Sequence, residues 1–194
     1  MSSPAVPGFI VRPITIEDAE PLARYVCMPE VMEHTSSTAR TPEDQKPMLE
    51  RKLVAGADSP VRFVLQRPGD AAIMATVGFH TISSLNRTAE ITYDVAPHHW
   101  GTGIATAACL AATDWGFQVR GWHRIQATTV LANVRSQRVL ERCGYVREGV
   151  VRNFRLVRGQ PTDYYMYSVI PGQAVDAVQA FHTVDFVRPV ASAD

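Results

Sequence analysis

Cysteine is scarce in this 194-residue chain: Cys27, Cys109 and Cys143 form an odd set of three with no C-x-x-C spacing. Neither a disulfide framework nor a thiolate zinc site follows from such a set, and a reducing compartment suits it best. Net charge is also missing, with 19 Lys plus Arg against 19 Asp plus Glu. Binding to a phosphate backbone rests on an excess of basic side chains, so nucleic acid is excluded as the main partner. No apolar stretch approaches the ~18 residues of a membrane span, and residues 1–8 have neither the charged nor the apolar part of a signal peptide. Internal repeats and low-complexity segments are absent. The chain therefore reads as cytoplasmic, with no membrane partner. What remains is 46% hydrophobic and 20% charged, too apolar for a disordered chain and of a length suited to one domain.

The patterning divides that domain into elements. Residues 9–11 read as a strand, and Thr15-Ile16-Glu17-Asp18 is a capping-box start for a helix running to about Val26. Pro29 ends that pattern, and Thr41-Pro42-Glu43-Asp44 opens a second helix whose first turns Pro47 disturbs. Residues 61–66, 72–81 and 88–95 then follow strand periodicity. An Ala-rich helix over 103–119 leads to a β-branched strand at 124–130, and a helix over 133–142 closes on Gly144. Strands at 145–157 and 163–170 and a short helix at 173–182 complete the chain. We divide it into an N-terminal tail (1–8), a single domain (9–170) and a C-terminal extension (171–194).

The junction between the strand at 88–95 and the Ala-rich helix carries the chemistry. Gly101 and Gly103 let the backbone approach an anion closely, and the helix start offers unpaired amides and the positive end of a dipole, with Thr106 as an added hydroxyl donor. Such a junction suits a pyrophosphate. It lacks the Lys-Ser/Thr of a P-loop and the third glycine of a dinucleotide fingerprint, so nucleotide hydrolysis and hydride transfer are not supported.

Glu90 followed by Trp100-Gly101-Thr102-Gly103-Ile104-Ala105-Thr106 resembles the acetyl-coenzyme A signature of the GNAT acetyltransferase superfamily, in its ribosomal-protein N-terminal acetyltransferase (RimJ/RimL-like) branch. The helix from Asn133 through Ser136 to Gly144-Tyr145, the Glu148-Gly149 and Arg158-Gly159 segments and the opening Arg12-Pro13 match the same branch, over about residues 9–170. The resemblance implies an α/β (α+β) GNAT fold: a mixed, mostly antiparallel sheet of about seven strands with helices on both faces, splayed between strands 4 and 5. It implies that Val95 gives backbone hydrogen bonds to pantetheine, that the amides of Gly101 to Thr106 hold the pyrophosphate beside Trp100, and that Asn133 and Ser136 face the gap. Coenzyme A would be the product. Many members of the branch carry a basic residue where this chain has Thr102, so reduced side-chain charge and weaker cofactor affinity are expected.

Acetyl transfer to an amine needs a neutral nucleophile, a polarised thioester carbonyl and a proton for the departing thiolate. Glu90 is the candidate proton acceptor, directly or through water, set against a solvated or ion-paired strand residue; the Val95 amide is the candidate polariser. Relatives often use a tyrosine on the helix that Asn133 begins, but none lies between Asn133 and Arg142, which leaves Ser136 beside the thiol. His98 and His99, adjacent in a loop, complete no metal site, and Cys109 reads as a small buried residue. The acceptor is a protein or peptide N-terminal amine or a small amine. Glu30, Glu33, Glu43, Asp44 and Glu50 would wall the acceptor side and draw a cation, or be solvated helix residues. A catalytically degenerate GNAT fold used for binding or regulation is the alternative, and homodimerisation is a further expectation from the family.

Overall fold

The computed structural model describes residues 2–33, 35, 41–52 and 56–173. Strand β1 (Ile10–Pro13) leads through a 3₁₀ turn (Ile16–Asp18) into α1 (Ala19–Val26). The capping box forms there: the Thr15 amide donates to the Asp18 carboxylate at 2.8 Å, and Arg12 clamps that carboxylate with two N–H groups at 2.7 and 2.8 Å. Pro29 stops α1 but also starts a single turn, α2 (Pro29–Met32), because proline at a first helical position loses no intrahelical bond. The next helix, α3 (Pro42–Lys52), runs through Pro47.

The three strand-patterned runs form an antiparallel meander, β2 (Val61–Gln66), β3 (Ala75–Ser83) and β4 (Thr88–Val95). A Cβ on Gly78 would lie 2.1 Å from the Val61 carbonyl oxygen, so the close approach of β2 and β3 requires glycine there. Helix α4 (Ile104–Gln118) then crosses to β5 (Arg124–Val130), parallel to β4, and α5 (Val134–Arg142) crosses to the hairpin of β6 (Val146–Val157) and β7 (Gln160–Val169). The seven-stranded order is β1-β2-β3-β4-β5-β7-β6, with the last strand inserted beside β5.

Two apolar layers hold the sheet. On one face the small side chains Ala107, Ala108 and Ala112 let α4 sit close, over a cluster of Phe63, Phe79, Trp115 and Trp122 with ring centroids 4.6 to 6.1 Å apart. Ile14, Leu22, Tyr25, Leu49 and Val64 fill the other face beneath α1 and α3. The N-terminal segment packs too: Val6 is buried in the larger core and the Trp115 indole donates to the Ser2 carbonyl at 2.9 Å. Of the C-terminal extension, residues 171–173 are described, and the helix expected at 173–182 lies almost wholly outside the described residues.

The feature that positions the site is a short ladder. Strands β4 and β5 pair only from Thr88 to Glu90 with Arg124 to Gln126, while β4 stays on β3 as far as Val95 and β5 stays on β7 as far as Val130. Beyond Glu90 and Gln126 the two strands part. Their facing backbone edges then have no strand partner, which leaves hydrogen-bonding groups for something that enters the gap.

Candidate active site

A cavity of about 540 Å³ opens where β4 and β5 part, within the size range of small-molecule sites. At one end the chain turns from β4 through a 3₁₀ turn (Pro97–His99) into α4. Gly101 and Gly103 sit at φ 78° and 88°, the left-handed region that side chains resist, and nothing crowds the Cβ position of Gly101. Conformation, not space, demands glycine at Gly101. Gly103 is the N-cap of α4 and brings no side-chain acceptor, so the first-turn amides stay available beside the cavity.

Trp100, Gly101, Gly103, Ile104, Ala105 and Thr106 all line this cavity, together with Val95, Asn133 and Ser136. Trp100 also braces the loop: its indole N–H donates to the Val95 carbonyl at 2.8 Å, and the Arg135 guanidinium lies 4.5 Å over its ring. Thr102 does not line the cavity. Its hydroxyl donates to the His99 carbonyl at 2.7 Å and closes the turn. Positive charge comes instead from α5, whose Arg135, Arg138 and Arg142 line the opposite wall. Side-chain cations thus border the cavity from α5, although the loop itself carries none. His99, from the turn before the glycine loop, adds an orphaned polar atom to the lining, a buried Nδ1 with no partner among the described residues. Burial, with Arg67 nearby, holds its imidazole below the ordinary value. A loop of open amides, three arginines and an orphaned nitrogen make a donor set that fits a pyrophosphate and its pantetheine arm.

The amide of Ala96 donates to the Met74 carbonyl at 2.9 Å on the β3 side, so strand alternation turns the Val95 amide toward the gap. Across the gap, Asn133 caps α5 by accepting from the Ser136 amide at 3.0 Å. Ser136 Oγ lies 2.9 Å from the Tyr93 hydroxyl. Burial holds the Tyr93 phenol well above its ordinary value, so it stays neutral. Reading the chain in order missed this tyrosine, because it comes from β4 and not from α5; the available signal was its place in the Ala89, Ile91, Tyr93, Val95 alternation.

Glu90 is not on the cavity wall. It lies where β4 and β5 still pair, 2% exposed, on the face toward α1, and accepts from Thr128 Oγ1 at 2.6 Å and Arg155 Nη2 at 2.8 Å. The sequence reading left an ion-paired Glu90 open, and the structure supplies the partner from β6. Further along the same face, Asp94 accepts from the Tyr25 hydroxyl and from Arg62 Nη2, and from Thr76 Oγ1 at 2.9 Å. A second cavity of about 300 Å³ lies on this face, lined by Arg62, His80, Thr92 and Arg155 among others. Glu30, Glu33, Glu43, Asp44 and Glu50 are all exposed and line neither cavity. Among the described residues no cluster of His, Cys, Asp or Glu is arranged for a metal, and no helix is long and apolar enough to cross a membrane.

Comparison with known proteins bears on the family and the fold. Residues 9–146 match the acetyltransferase (GNAT) domain family. The uncharacterized N-acetyltransferase YoaA of Bacillus subtilis is 33% identical over 110 residues, 57% of this chain and 62% of that protein. The uncharacterized N-acetyltransferase p20 of Bacillus licheniformis is 29% identical over 164 residues, 82% of this chain and 91% of that protein. In fold, the chain is similar to Mycobacterium smegmatis RimJ in complex with CoA-disulfide, with a TM-score of 0.77 and 22% identity, covering 92% of this chain and 91% of that one. This chain belongs to the GNAT acetyltransferase family, acyltransferases that take their acetyl group from acetyl-coenzyme A.

Proposed function

We propose that this protein moves an acetyl group from acetyl-coenzyme A directly to a primary amine, the α-amino group of a protein or peptide N-terminus or a small amine, with both substrates bound at once. The observation that carries this reading is the parting of β4 and β5 beside the glycine loop, which begins one step past Glu90 and opens the cavity between the two strands. Acetyl-coenzyme A, when bound, supplies an activated thioester carbonyl. The amides of Gly101 to Thr106 and the arginines of α5 hold its phosphates, and Trp100 and Asn133 frame the slot. The Val95 amide polarises the carbonyl by donating to its oxygen.

Glu90 takes the proton that the acceptor ammonium must lose, directly or through a water, and Arg155 and Thr128 keep its carboxylate in place. Ser136 meets the sulfur that departs. Its hydroxyl is too weak an acid to act alone, and the Tyr93 hydroxyl, 2.9 Å from Ser136 Oγ and 3.3 Å from the Ser136 carbonyl oxygen, holds it in place; in the arrangement where the phenol is the donor to Oγ, the serine proton is free to point at the sulfur.

Calorimetric titration with acetyl-coenzyme A tests the reading. Saturable binding by the wild type, lost in Gly103→Glu, supports it, and an acceptor screen with Glu90→Gln as control follows. Failure of the wild type to bind would overturn it and return the chain to the class of GNAT-fold scaffolds.

A further inference from the structure

The second cavity says what kind of amine fits. No carboxylate lines it, although an amine must come to this face to reach Glu90; its polar wall is Arg62, His80, Thr92 and Arg155. The two carboxylates of the face lie beside or beneath this wall and are both engaged by arginine, Glu90 with Arg155 and Asp94 with Arg62. Two guanidinium groups against two carboxylates leave no unmatched negative charge for a polycation. An incoming diammonium chain would be desolvated against arginines, which is costly without a counter-charge. The acidic residues of 29–60, which a polyamine would need, are exposed and line neither cavity.

The arginines differ in what they have left to give. Arg62 uses all three of its nitrogens, on Thr76 at 2.8 Å, on Thr92 at 3.1 Å and on Asp94. Arg155 gives only Nη2 to Glu90, and its Nε and Nη1 have no hydrogen-bond partner among the described residues. Its guanidinium lies 5.0 Å from the Phe154 ring and 5.8 Å from the Tyr164 ring. An arginine at a cavity wall, flanked by two aromatic rings and with part of its fork unused, is suited to a carboxylate.

We infer that the acceptor is a small zwitterion, an amine with a carboxylate a few bonds away such as a free α-amino acid, whose carboxylate is taken by Arg155. This rests on the acetyltransferase reading and narrows it. The ammonium gives one proton to Glu90, the amine nitrogen forms a bond to the acetyl carbon and then sheds a second proton to solvent, the carbon–sulfur bond breaks, and the sulfur leaves as thiolate to be protonated from the Ser136 side or by solvent. The products are an N-acetyl amino acid, coenzyme A and one proton. Because the carboxylate and the ammonium enter together, the paired charges of the face stay balanced.

The test is release of coenzyme A thiol by the wild-type protein with the proteinogenic amino acids, their carboxamides and spermidine, each with acetyl-coenzyme A. The expected result is at least one amino acid turned over with kcat/KM about tenfold above that of its carboxamide, a difference of roughly 1.4 kcal/mol, and spermidine below both. Chemistry alone biases the other way: the carboxamide amine is less basic and so more often neutral, and a preference for the acid must come from recognition. Arg155→Lys keeps a cation beside Glu90 but loses the fork. It should raise KM for the amino acid, bring the acid-to-amide ratio toward one and leave acetyl-coenzyme A binding unchanged. Carboxamides used as well as acids, preference for spermidine, or cofactor binding with no amino acid turned over would each overturn this inference while the acetyltransferase reading stands. Absent cofactor binding would sink that reading itself.

Discussion

Toward α4, strand β4 presents Ala89, Ile91, Tyr93 and Val95, and the Tyr93 hydroxyl is the one polar side-chain atom among them. Toward α1 and the β6–β7 hairpin the same strand presents Glu90, Thr92 and Asp94, each tied to a side chain from another element. On the first face the groups open to a ligand are backbone amides at glycines and the arginines of α5. Charge on the second face is brought in pairs, with Glu90 buried and Arg62, Asp94 and Arg155 half-buried. Backbone donors need only the right conformation, whereas a buried carboxylate needs a partner, since removing one member of such a pair leaves an uncompensated charge. The cofactor side should therefore fail through backbone geometry and the acceptor side through lost partners.

The largest effect should come from Gly103→Glu. A side chain in the left-handed region costs roughly 1–3 kcal/mol, and a carboxylate facing a pyrophosphate adds repulsion, so acetyl-coenzyme A affinity should fall by ~1,000-fold in calorimetry. An affinity within a few-fold of wild type would remove the glycine loop from the site. Next is Glu90→Gln, which should lower kcat by about 100-fold with cofactor affinity unchanged. A loss confined to cofactor binding would show that Glu90 serves the other face.

Smaller effects should follow from Tyr93→Phe and Ser136→Ala, each about tenfold in kcat with little change in KM. The double variant should be no worse than the worse single one, because both remove one hydrogen-bonded unit. Full additivity would mean that the two act separately. Smallest is the ion pair that serves as a surface control for Glu90: Arg124 holds Glu148 with two bonds of 2.7 Å, Ser168 adds one of 2.6 Å, and together they bring the carboxyl down from 4.5 to about 2. A depressed carboxyl stabilises the fold above its unfolded value and loses that contribution as pH falls from about 4.5 to about 2. Glu148 is 41% exposed, so solvent screening keeps the effect below about 1 kcal/mol. Melting curves of Glu148→Gln and wild type should differ slightly at pH 7 and converge toward pH 2, and a large gap at pH 7 would mean that this pair behaves like a buried one.

Much of the architecture was legible in residue order. The periods of β4, α4, β5 and α5 appear with ends within a few residues of those expected, because each is set by side chains close together in the chain. The single turn α2 was too short for a periodic signal, and α3 tolerated the Pro47 that argued against its first turns. At the site, the glycine loop and the Asn133–Ser136 cap were readable because both are local motifs. What the Thr102 side chain does was not readable: its hydroxyl donates to the His99 carbonyl and closes the turn, whereas the expected role of Thr102 lies in its backbone amide.

By itself, then, the sequence determined the elements, the left-handed glycines that shape the loop and the face each β4 side chain takes, since these depend on neighbours a few residues away. Only the tertiary structure decided where β4 and β5 part, that Tyr93 meets Ser136 from 43 residues away, and that Arg155 reaches Glu90 across 65. Those pairings depend on how far a short parallel ladder runs and where a C-terminal hairpin lands, and no local preference along the chain records either.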